Sequence, residues 1–331
     1  DGKTNTNWFD EVFDHSAMYK HNVSYSTGSD KGSVYVSTSY LTNNGIIVGD
    51  DDKYTRLNGV VNVDYKIKPW FKISTSNNIE RNTRQSVNVE GLNDTFLMDP
   101  LTPAVYAPDQ LPTNMQSVLN QGKTILQDGN GNYYSISNFY SFANPLANNA
   151  SSQTKSEAFN VNGNFAADLT PIKGLTLTTK LGYFLTASNS STYSNDYYAS
   201  PQRYRDYVGL SQSNSNSVYY QWDNYINYMT TFAKKHDVTA MLGHSFTKRT
   251  SNNTNGSLTA NGEDAVLKDD QNLFGYLDFA SSSATRGNSG RKTENTSESY
   301  FGRFTYSYDG KYMLQFSLRA DAFDMSKLPI T

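Results

Sequence analysis

The stretch YFGRFTYSYDGKYMLQFSLRADAF, residues 300–323, places a large apolar residue at almost every second position of a polar chain. The apolar positions are Tyr300, Phe304, Tyr306 and Tyr308 before a turn at 309–311, and Tyr312, Leu314, Phe316 and Leu318 after it. A period of two with a tight turn predicts a β-hairpin that has one apolar and one polar face. Either a protein core or lipid suits such an apolar face.

The composition bears on this choice. The 331 residues include 25 Tyr and 17 Phe, yet the hydrophobic fraction is only 37%. A soluble protein this polar would have a thin core for its size. A barrel wall with a wet interior combines polar composition with Tyr and Phe at the level of the lipid headgroups. The composition therefore favours a membrane barrel.

Charge and residue usage exclude several other classes. The chain has 28 Lys and Arg against 31 Asp and Glu, a balance that gives no footprint for nucleic acid. Cysteine is absent, which excludes disulfides, thiolate nucleophiles and cysteine metal sites. The sequence contains no run of about 18 apolar residues, the length that a membrane-spanning helix needs.

The alternation of the opening stretch recurs along the chain in pairs. It predicts strands at 18–27, 33–42, 54–67, 70–80, 157–169, 175–187, 218–233, 237–248, 299–308 and 312–321. Their polar sides are rich in Asn, Lys and Asp, which suits a water-filled lumen as well as the outer face of a sandwich. The sequence therefore predicts an all-β protein built from antiparallel strands.

The connections between these strands favour a transmembrane barrel. Tight turns are predicted at 28–32, 68–70, 170–174, 234–236 and 309–311, and they alternate with long loops near 43–53, 81–156, 188–217 and 249–298. Short periplasmic turns opposite long extracellular loops are typical of outer-membrane barrels. We expect residues 1–331 to form part of one barrel domain, an internal piece of a longer chain with at least one earlier strand.

Several stretches carry a more specific pattern. They are NWFDEVF (7–13), MYKHNVSYSTGSDKGSVYVSTSYLTNNGII (18–47), DYKIKPWFKIS (64–74), MDPLTPAVYAPD (98–109), DGNGNYY (128–134), NPLA (144–147) and SYFGRFTYSYDGKYMLQFSLRADAF (299–323). Together and in this order they resemble segments of the SusC/RagA-like family of TonB-dependent outer-membrane transporters of Bacteroidetes.

The resemblance implies a fold, a location and partners. It implies a barrel of about 22 strands in the outer membrane of a Gram-negative cell, of which this chain would supply about ten. The plug and the segment that contacts TonB would lie outside this chain. It also implies a SusD-like surface lipoprotein as a hinged lid, an imported oligosaccharide or peptide, and no cofactor.

No pattern in the sequence indicates catalysis or a metal site. The four histidines form no HExxH motif, and no GxSxG elbow occurs, so an enzyme is not expected. Asp50–Asp52 and the DGNGN at 128–132 are the candidates for calcium. The second lacks the Gly at position six and the Glu at position twelve of an EF-hand loop, and a hairpin turn accounts for it more simply.

The long loop 81–156 is the predicted substrate-binding site. The residues predicted to bind cargo are Tyr106, Tyr133, Tyr134, Phe139, Tyr140 and Asn144. Aromatic faces beside amides suit sugar rings or extended peptides, because they offer stacking and a few directed hydrogen bonds. The alternative is that these rings pack the loop on itself or against a partner subunit. The same two interpretations apply to the aromatic-rich loop 192–207, which adds Arg203 and Arg205.

The sequence thus predicts TonB-dependent import of an oligomeric nutrient, with glycans as the first expectation for the cargo and oligopeptides as the second. Two alternatives remain open: a soluble secreted β-rich binding or adhesion protein, and a passive porin.

Overall fold

A computed structural model describes residues 4–49, 52–87, 92–260, 277–278 and 283–327. The described strands are β1 (Met18–Ser29), β2 (Gly32–Asn43), β3 (Lys53–Lys68), β4 (Phe71–Val87), β5 (Val105–Tyr106), β6 (Tyr133–Tyr134), β7 (Ser152–Ile172), β8 (Leu175–Ser194), β9 (Tyr197–Ser200), β10 (Arg203–Arg205), β11 (Val208–Phe232), β12 (His236–Ala260), β13 (Thr285–Tyr308) and β14 (Tyr312–Lys327). The helices are α1 (Trp8–Val12), α2 (Asp94–Leu97), α3 (Thr113–Asn120) and α4 (Pro145–Ala150), with a 3₁₀ turn at Pro108–Gln110.

Ten of these strands form one antiparallel sheet in which each long strand pairs with the next along the chain. All ten predicted strands are confirmed, and so are the five tight turns between them. The turn after β13 has positive φ at Asp309 (54°) and Gly310 (67°), which is the pattern of a type I′ hairpin turn. Pairs β5–β6 and β9–β10 are short ribbons outside this sheet.

The register places the apolar residues of neighbouring strands on one face of the sheet. Ile79 of β4 pairs with Val161 of β7, which pairs with Leu185 of β8, which pairs with Val218 of β11. The same face continues through Leu242 to the opening stretch. Large apolar side chains on this face are exposed, as lipid-facing residues of a barrel are. The predicted transmembrane antiparallel β-barrel wall is therefore confirmed as the fold.

The opposite face of the sheet is polar and hydrogen-bonded. Lys72 lies 2.8 Å from Asp64 across β3 and β4. Farther along the sheet, Asp223 accepts a 2.5 Å hydrogen bond from Ser245, and Asp321 accepts a 2.5 Å bond from Ser299. This face is the lumen side of the wall.

Several strands run farther than their apolar pattern predicts. β11 and β12 each have 25 residues and continue into segments predicted as loops. A 25-residue strand is about 80 Å long, whereas the apolar band of an outer-membrane barrel is only about 25 Å tall. Serine and threonine hydroxyls pair across the polar extensions, for example Ser217 with Ser251 at 3.1 Å and Thr154 with Thr192 at 2.9 Å. Pairing therefore continues beyond the lipid, where apolar alternation gives no signal.

The strands also lengthen in one direction across the sheet. β1 and β2 have 12 residues each, β4 has 17, β7 has 21, and β11 has 25. Because all the tight turns lie at one end, the opposite rim rises from β1 to β11. A small apolar core of Tyr193, Val208, Leu210, Leu258 and Ala260 fastens the tall end. None of the described helices is long and apolar enough to cross a membrane.

The alternation of the strands predicts that a charged substitution destabilises the protein only where it faces lipid, and most strongly near the middle of the bilayer. Phe165 lies midway along the apolar side of β7 and is half exposed, while its neighbour Asn164 points to the lumen face. We expect Phe165→Arg to lower the free energy of unfolding by about 2–4 kcal/mol, the range for a cation facing the bilayer midplane. Asn164→Arg is the matched control and should change it by less than about 1 kcal/mol, since the lumen is wet. Denaturant unfolding in lipid vesicles measures both, and equal losses would contradict the assignment of the faces.

Candidate functional site

The long connections at one end of the sheet form a packed loop assembly, here called the loop cap and defined as residues 92–151 and 195–207. The chain before β1 is fastened to it. Trp8 donates a 2.8 Å hydrogen bond from Nε1 to the carbonyl oxygen of Asp99, and the N–H of Thr6 donates to the carbonyl of Pro100 at 2.8 Å. Helix α1 also packs against α2 and α4. The loop cap therefore has structure of its own.

The carboxylate of Asp99 organises the centre of the loop cap. It is 5% exposed and accepts hydrogen bonds from Thr102 Oγ1 (2.9 Å), the N–H of Leu101 (3.0 Å) and Ser137 Oγ (2.5 Å). Charge-assisted bonds of this kind are the stronger ones in proteins. They explain why the MDPL segment contains an acidic residue. In the sequence, this segment was identified only as one of the stretches that carry the family resemblance.

Ser137, which donates a hydrogen bond to Asp99, also fixes the backbone of two aromatic residues. Its Oγ accepts hydrogen bonds from the N–H groups of Phe139 (3.0 Å) and Tyr140 (3.2 Å). The two side chains are 60% and 57% exposed, and the Tyr140 ring lies 6.2 Å from that of Phe142. Phe139 and Tyr140 thus form an exposed aromatic pair on a backbone that buried polar groups hold.

Three of the four predicted tyrosines, Tyr106, Tyr133 and Tyr134, are half-buried. Tyr106 and Tyr133 face each other across the β5–β6 ribbon and pack on the core of Met115, Ile125 and Ile136. Burial, with the charge of Asp99, raises the pKa of Tyr106, so its hydroxyl is neutral at ordinary pH. Tyr134 packs on a second small core that contains Ala143 and Ala147. Much of their ring surface therefore supports the loop cap, as the alternative interpretation expects.

Asn144 is fully buried and acts within the loop cap. Its Nδ2 donates to the carbonyl of Ala104 (2.7 Å) and to Ser135 Oγ (3.1 Å). Its Oδ1 accepts from the N–H of Leu146 (2.9 Å) and so caps α4, an arrangement that favours Asn. Both ends of the amide are used, so Asn144 positions the loop cap in this structure. Its predicted contact with cargo stays a prediction.

The DGNGN segment is a hairpin turn, as predicted. Asp128 Oδ1 accepts from the N–H groups of Asn130 (2.8 Å) and Asn132 (2.9 Å), and Gly131 has a φ of 82°. Desolvation raises the pKa of Asp128, but these hydrogen bonds outweigh it and leave the pKa below its usual value. Asp50 and Asp51 of the acidic triplet lie outside the described residues. In the part of the chain that the structure describes, no group of three or more His, Asp or Glu could hold a metal ion.

A buried acid that sequence reasoning missed joins the two parts of the loop cap. Asp94, 5% exposed, accepts a 2.9 Å hydrogen bond from Asn148 Nδ2 and lies 4.0 Å from Arg203. Burial raises the pKa of Asp94, while Arg203, Asn148 and the N–H of Ala143 act in the opposite direction. Nothing in the local sequence marks this residue, because its partners are 54 and 109 positions away.

Two cations hold the loop 192–207, Arg205 from within it and Lys123 from outside it. The guanidinium of Arg205 lies 5.5 Å from the centre of the Tyr197 ring and donates to the carbonyl oxygens of Ser151 (3.2 Å) and Asn195 (3.0 Å). Lys123 Nζ lies 4.5 Å over the ring of Tyr198, a cation–π contact that ties the loop to the rest of the cap. Arg205 therefore serves packing in this structure.

Below the loop cap, the lumen face of β3 and β4 presents a dense polar wall. Glu80 Oε1 accepts from Asn82 Nδ2 at 2.9 Å. Arg56 Nε, Asn58 Oδ1 and Asn78 Oδ1 are buried and have no hydrogen-bond partner among the described residues. Buried polar atoms are rarely left unpaired in native proteins, so this wall is a surface with hydrogen bonds still to make.

Comparisons with known proteins support the fold. No family model matches the chain. It is 24% identical over 325 residues to TonB-dependent receptor P3 of Formosa agariphila, a match that covers 97% of this chain and 30% of that protein. TonB-dependent receptor P26 of the same species is 22% identical and is matched over 29% of its length.

Solved structures agree. The RagAB peptide importer in its closed-closed state superposes with a TM-score of 0.69 at 21% identity, over 97% of this chain and 34% of that one. The siderophore receptor PiuA from Acinetobacter baumannii gives a TM-score of 0.51 at 9% identity, over 94% of this chain and 43% of that one. The chain spans about 30% of the length of the curated relatives. The resemblance to TonB-dependent receptors is confirmed for this segment, and its location is the outer membrane.

The buried acid Asp94 makes a testable prediction about the loop cap. Asp94→Ala leaves the Asn148 amide buried without its acceptor, and we expect a loss of about 1–3 kcal/mol in local stability. Asp94→Asn keeps a hydrogen-bond acceptor for Asn148 and removes the buried charge. At neutral pH, the backbone amides of the loop cap should therefore be protected from hydrogen exchange at least as well as in the native protein. Hydrogen exchange of residues 92–151 measures both effects.

The pKa shift of Asp94 predicts how the stability of the loop cap changes with pH. Because the folded-state pKa of Asp94 lies above the unfolded value of about 3.9, its stabilising contribution is full below that value. The contribution is lost as the pH rises through the folded-state pKa. The advantage of Asp94→Asn over the native protein should therefore grow between pH 4 and pH 7, and an advantage that shrinks over this range would contradict the burial argument.

Proposed function

We propose that this chain is part of the barrel subunit of a transporter that imports an oligomeric nutrient across the outer membrane. The observation that carries the proposal is the one-sided arrangement of the chain: an exposed aromatic pair sits on a packed loop cap, at the long-loop end of a wall whose inner face is polar. The similarity to TonB-dependent receptors supports an energy-driven cycle.

The cargo is best understood as an oligosaccharide, with an oligopeptide as the second candidate. Phe139 and Tyr140 offer ring faces for the apolar sides of sugars, and the amides and carboxylates of the lumen wall offer hydrogen bonds to hydroxyl groups. The same groups suit a peptide backbone, and the structural neighbour RagAB is described as a peptide importer. An uptake experiment should therefore include both oligosaccharides and oligopeptides.

The unpartnered polar atoms of the lumen wall support a plug that fills the barrel. Arg56, Asn58 and Asn78 would bond to such a plug, which would contact TonB on the periplasmic side. The soluble alternative would need a second layer over the apolar face of the sheet. The residues that the structure describes supply no such layer, and the only described strands outside the main sheet form two short ribbons.

Uptake by intact cells tests the proposal. Cells with and without the gene are given labelled oligosaccharides or oligopeptides, in the presence and absence of a protonophore. We expect gene-dependent uptake that collapses when the proton gradient is removed. Uptake that survives the protonophore would indicate a passive porin, and no gene-dependent uptake of either class would refute import.

The aromatic pair provides the site-level prediction. We expect Phe139→Ala/Tyr140→Ala to weaken cargo binding roughly tenfold, since two stacking contacts are lost. The matched control is Phe139→Tyr/Tyr140→Phe, which exchanges the two side chains and keeps both rings. Isothermal titration with the imported cargo class compares the two. If the control loses as much affinity as the alanine variant, stacking on these rings is not what binds the cargo.

We propose further that a SusD-like lipoprotein covers the loop cap through an exposed apolar patch. The patch consists of Phe9, Phe96, Leu97 and Leu101. Phe9 and Phe96 meet edge to face at 4.9 Å between ring centres, although the Phe96 side chain is 68% exposed. Clustered exposed apolar side chains of this kind mark protein interaction sites.

Copurification tests this partner. Phe96→Ser/Leu101→Ser should reduce the lipoprotein recovered with the barrel at least about fivefold, because anchors at the centre of an interface dominate its affinity. The control Tyr204→Ser removes another exposed ring of the loop cap and should leave recovery unchanged. Full recovery with the double variant would place the lipoprotein elsewhere.

A further inference from the structure

The tight-turn end of the sheet carries an excess of positive charge. Each of the five tight turns contains at least one lysine, and together they form a lysine belt that consists of Lys31, Lys68, Lys173, Lys234, Lys235 and Lys311. The acids of these turns are Asp30 and Asp309. The loop cap at the other end has the opposite balance, with six aspartates against one lysine and two arginines. The two ends of the wall therefore differ in the sign of their charge.

Part of the positive charge is neutralised within the turns. The Nζ atoms of Lys235 and Lys311 both lie near the carboxylate of Asp309, at 3.8 Å and 3.2 Å. Asp30 adjoins Lys31 in the first turn. The two aspartates offset two of the six lysines and leave an excess of four positive charges.

Three lysines of the belt carry most of this excess. Lys68, Lys173 and Lys234 are exposed and have no ion-pair partner among the residues that the structure describes. Lys234 has a φ of 59°, and Ala233 before it has a φ of 49°. Left-handed backbone is strained for a residue with a Cβ, and glycine or asparagine is the usual choice in such a turn. A lysine at this strained position favours a role for its side chain.

The carboxylates on the strands beside these turns do not reach the belt. Asp168 and Asp237 belong to the lumen face and accept hydrogen bonds from Thr178 (2.7 Å) and Thr231 (2.6 Å). The lumen carboxylate of β3 is paired with Lys72, as described above. The excess charge of the lysine belt is therefore available to a partner outside the chain.

An aromatic row lies directly on the membrane side of two of these turns. Four paired residues on the apolar face of β11–β14 form it: Phe232, His236, Tyr308 and Tyr312. The rings of Phe232 and His236 stack with their centres 4.7 Å apart, and Tyr312 is 71% exposed. Trp70, in an earlier turn, is 51% exposed. Exposed aromatic rows of this kind mark the level where acyl chains meet headgroups, and the lysines lie one or two residues beyond.

We infer that the lysine belt binds the anionic headgroups of phospholipids in the inner leaflet of the outer membrane. Neighbouring turns are two strands apart, so the lysines recur about every 10 Å in one line at one end of the strands. A plane of headgroups meets every point of such a line, whereas a folded protein partner fits a compact patch. The aromatic row beside the belt also indicates a lipid surface, and lysines near that surface attract anionic lipids.

The inference rests on the outer-membrane location and on the usual orientation of such barrels, with the short turns on the periplasmic side. It is independent of the cargo, because the belt lies at the opposite end of the strands from the loop cap.

The test uses the full-length protein purified from outer membranes, and native mass spectrometry measures the lipid that it binds in detergent. The probes are phosphatidylglycerol, which is anionic, phosphatidylethanolamine, which has no net charge, and solubilised peptidoglycan fragments. We expect the native protein to prefer phosphatidylglycerol. Lys68→Gln/Lys173→Gln/Lys234→Gln should bind it roughly fivefold less well, because the unpaired cations are lost, and should bind phosphatidylethanolamine within about twofold of the native protein.

Two further variants and the salt dependence serve as controls. The triple Lys→Arg variant of the same positions keeps the charges and should bind phosphatidylglycerol as the native protein does. Lys20→Gln/Lys53→Gln/Lys292→Gln removes three exposed lysines on the long-loop side of β1, β3 and β13, and should change this binding less than about twofold. Raising the ionic strength should weaken the binding of phosphatidylglycerol to the native protein more than that of phosphatidylethanolamine.

Three results would overturn the inference. One is equal binding of the two lipids by the native protein, and another is an equal loss in the long-loop variant, which would mean that the attraction is not local to the belt. The third is a belt variant that keeps phosphatidylglycerol but loses the peptidoglycan fragments, which would make the cell wall the partner. Uptake measured on the same variants separates this surface from the proposed transport, since loss of lipid with intact import leaves the transport proposal untouched.

Discussion

The structure depends on one constraint: no backbone N–H or C=O of a strand can stay unpaired in lipid. Antiparallel pairing meets this demand, and the side chains then alternate strictly between two environments. A slip of one residue in any pair would turn an apolar row into the lumen and a row of Asn and Lys into the membrane. The unbroken line from Ile79 through Val161 and Leu185 to Val218 shows four neighbouring strands held in one register, as that penalty requires.

Beyond the lipid the same pairing continues for a different reason. Hydroxyl pairs such as Ser217 with Ser251 line the extensions, and a small core at the top of β8, β11 and β12 keeps their ends from fraying. The loop cap stands on these ribbons and not on flexible chain. Its buried acids, Asp94 and Asp99, join segments that are far apart in sequence, and this joining lets Phe139 and Tyr140 be exposed without being disordered.

The strands within the membrane could be predicted from the sequence because each residue there answers to one of two environments. The Asp309–Gly310 turn could be predicted as well, since positive φ at two successive positions demands such residues. The ends of β11 and β12 could not be predicted, because polar extensions lose the apolar alternation while keeping the ladder. How the loop 81–156 packs could not be predicted: Asn144 caps α4, and Asp94 acts through partners that no local pattern reveals. The binding of cargo by this loop stays a prediction.

The rim of the wall rises from β1 to β11, so the wall is lower on one flank than on the other. β11 exceeds β1 by 13 residues (25 against 12), or about 30 Å of height at the usual tilt. Bulky neighbours in the crowded plane of the membrane are held away on the tall flank and can come close on the low one. Steric crowding by neighbouring membrane proteins therefore differs between the two flanks of this wall. A large molecule outside the cell can reach the opening of the barrel closest to the bilayer on the low flank, beside β1 and β2.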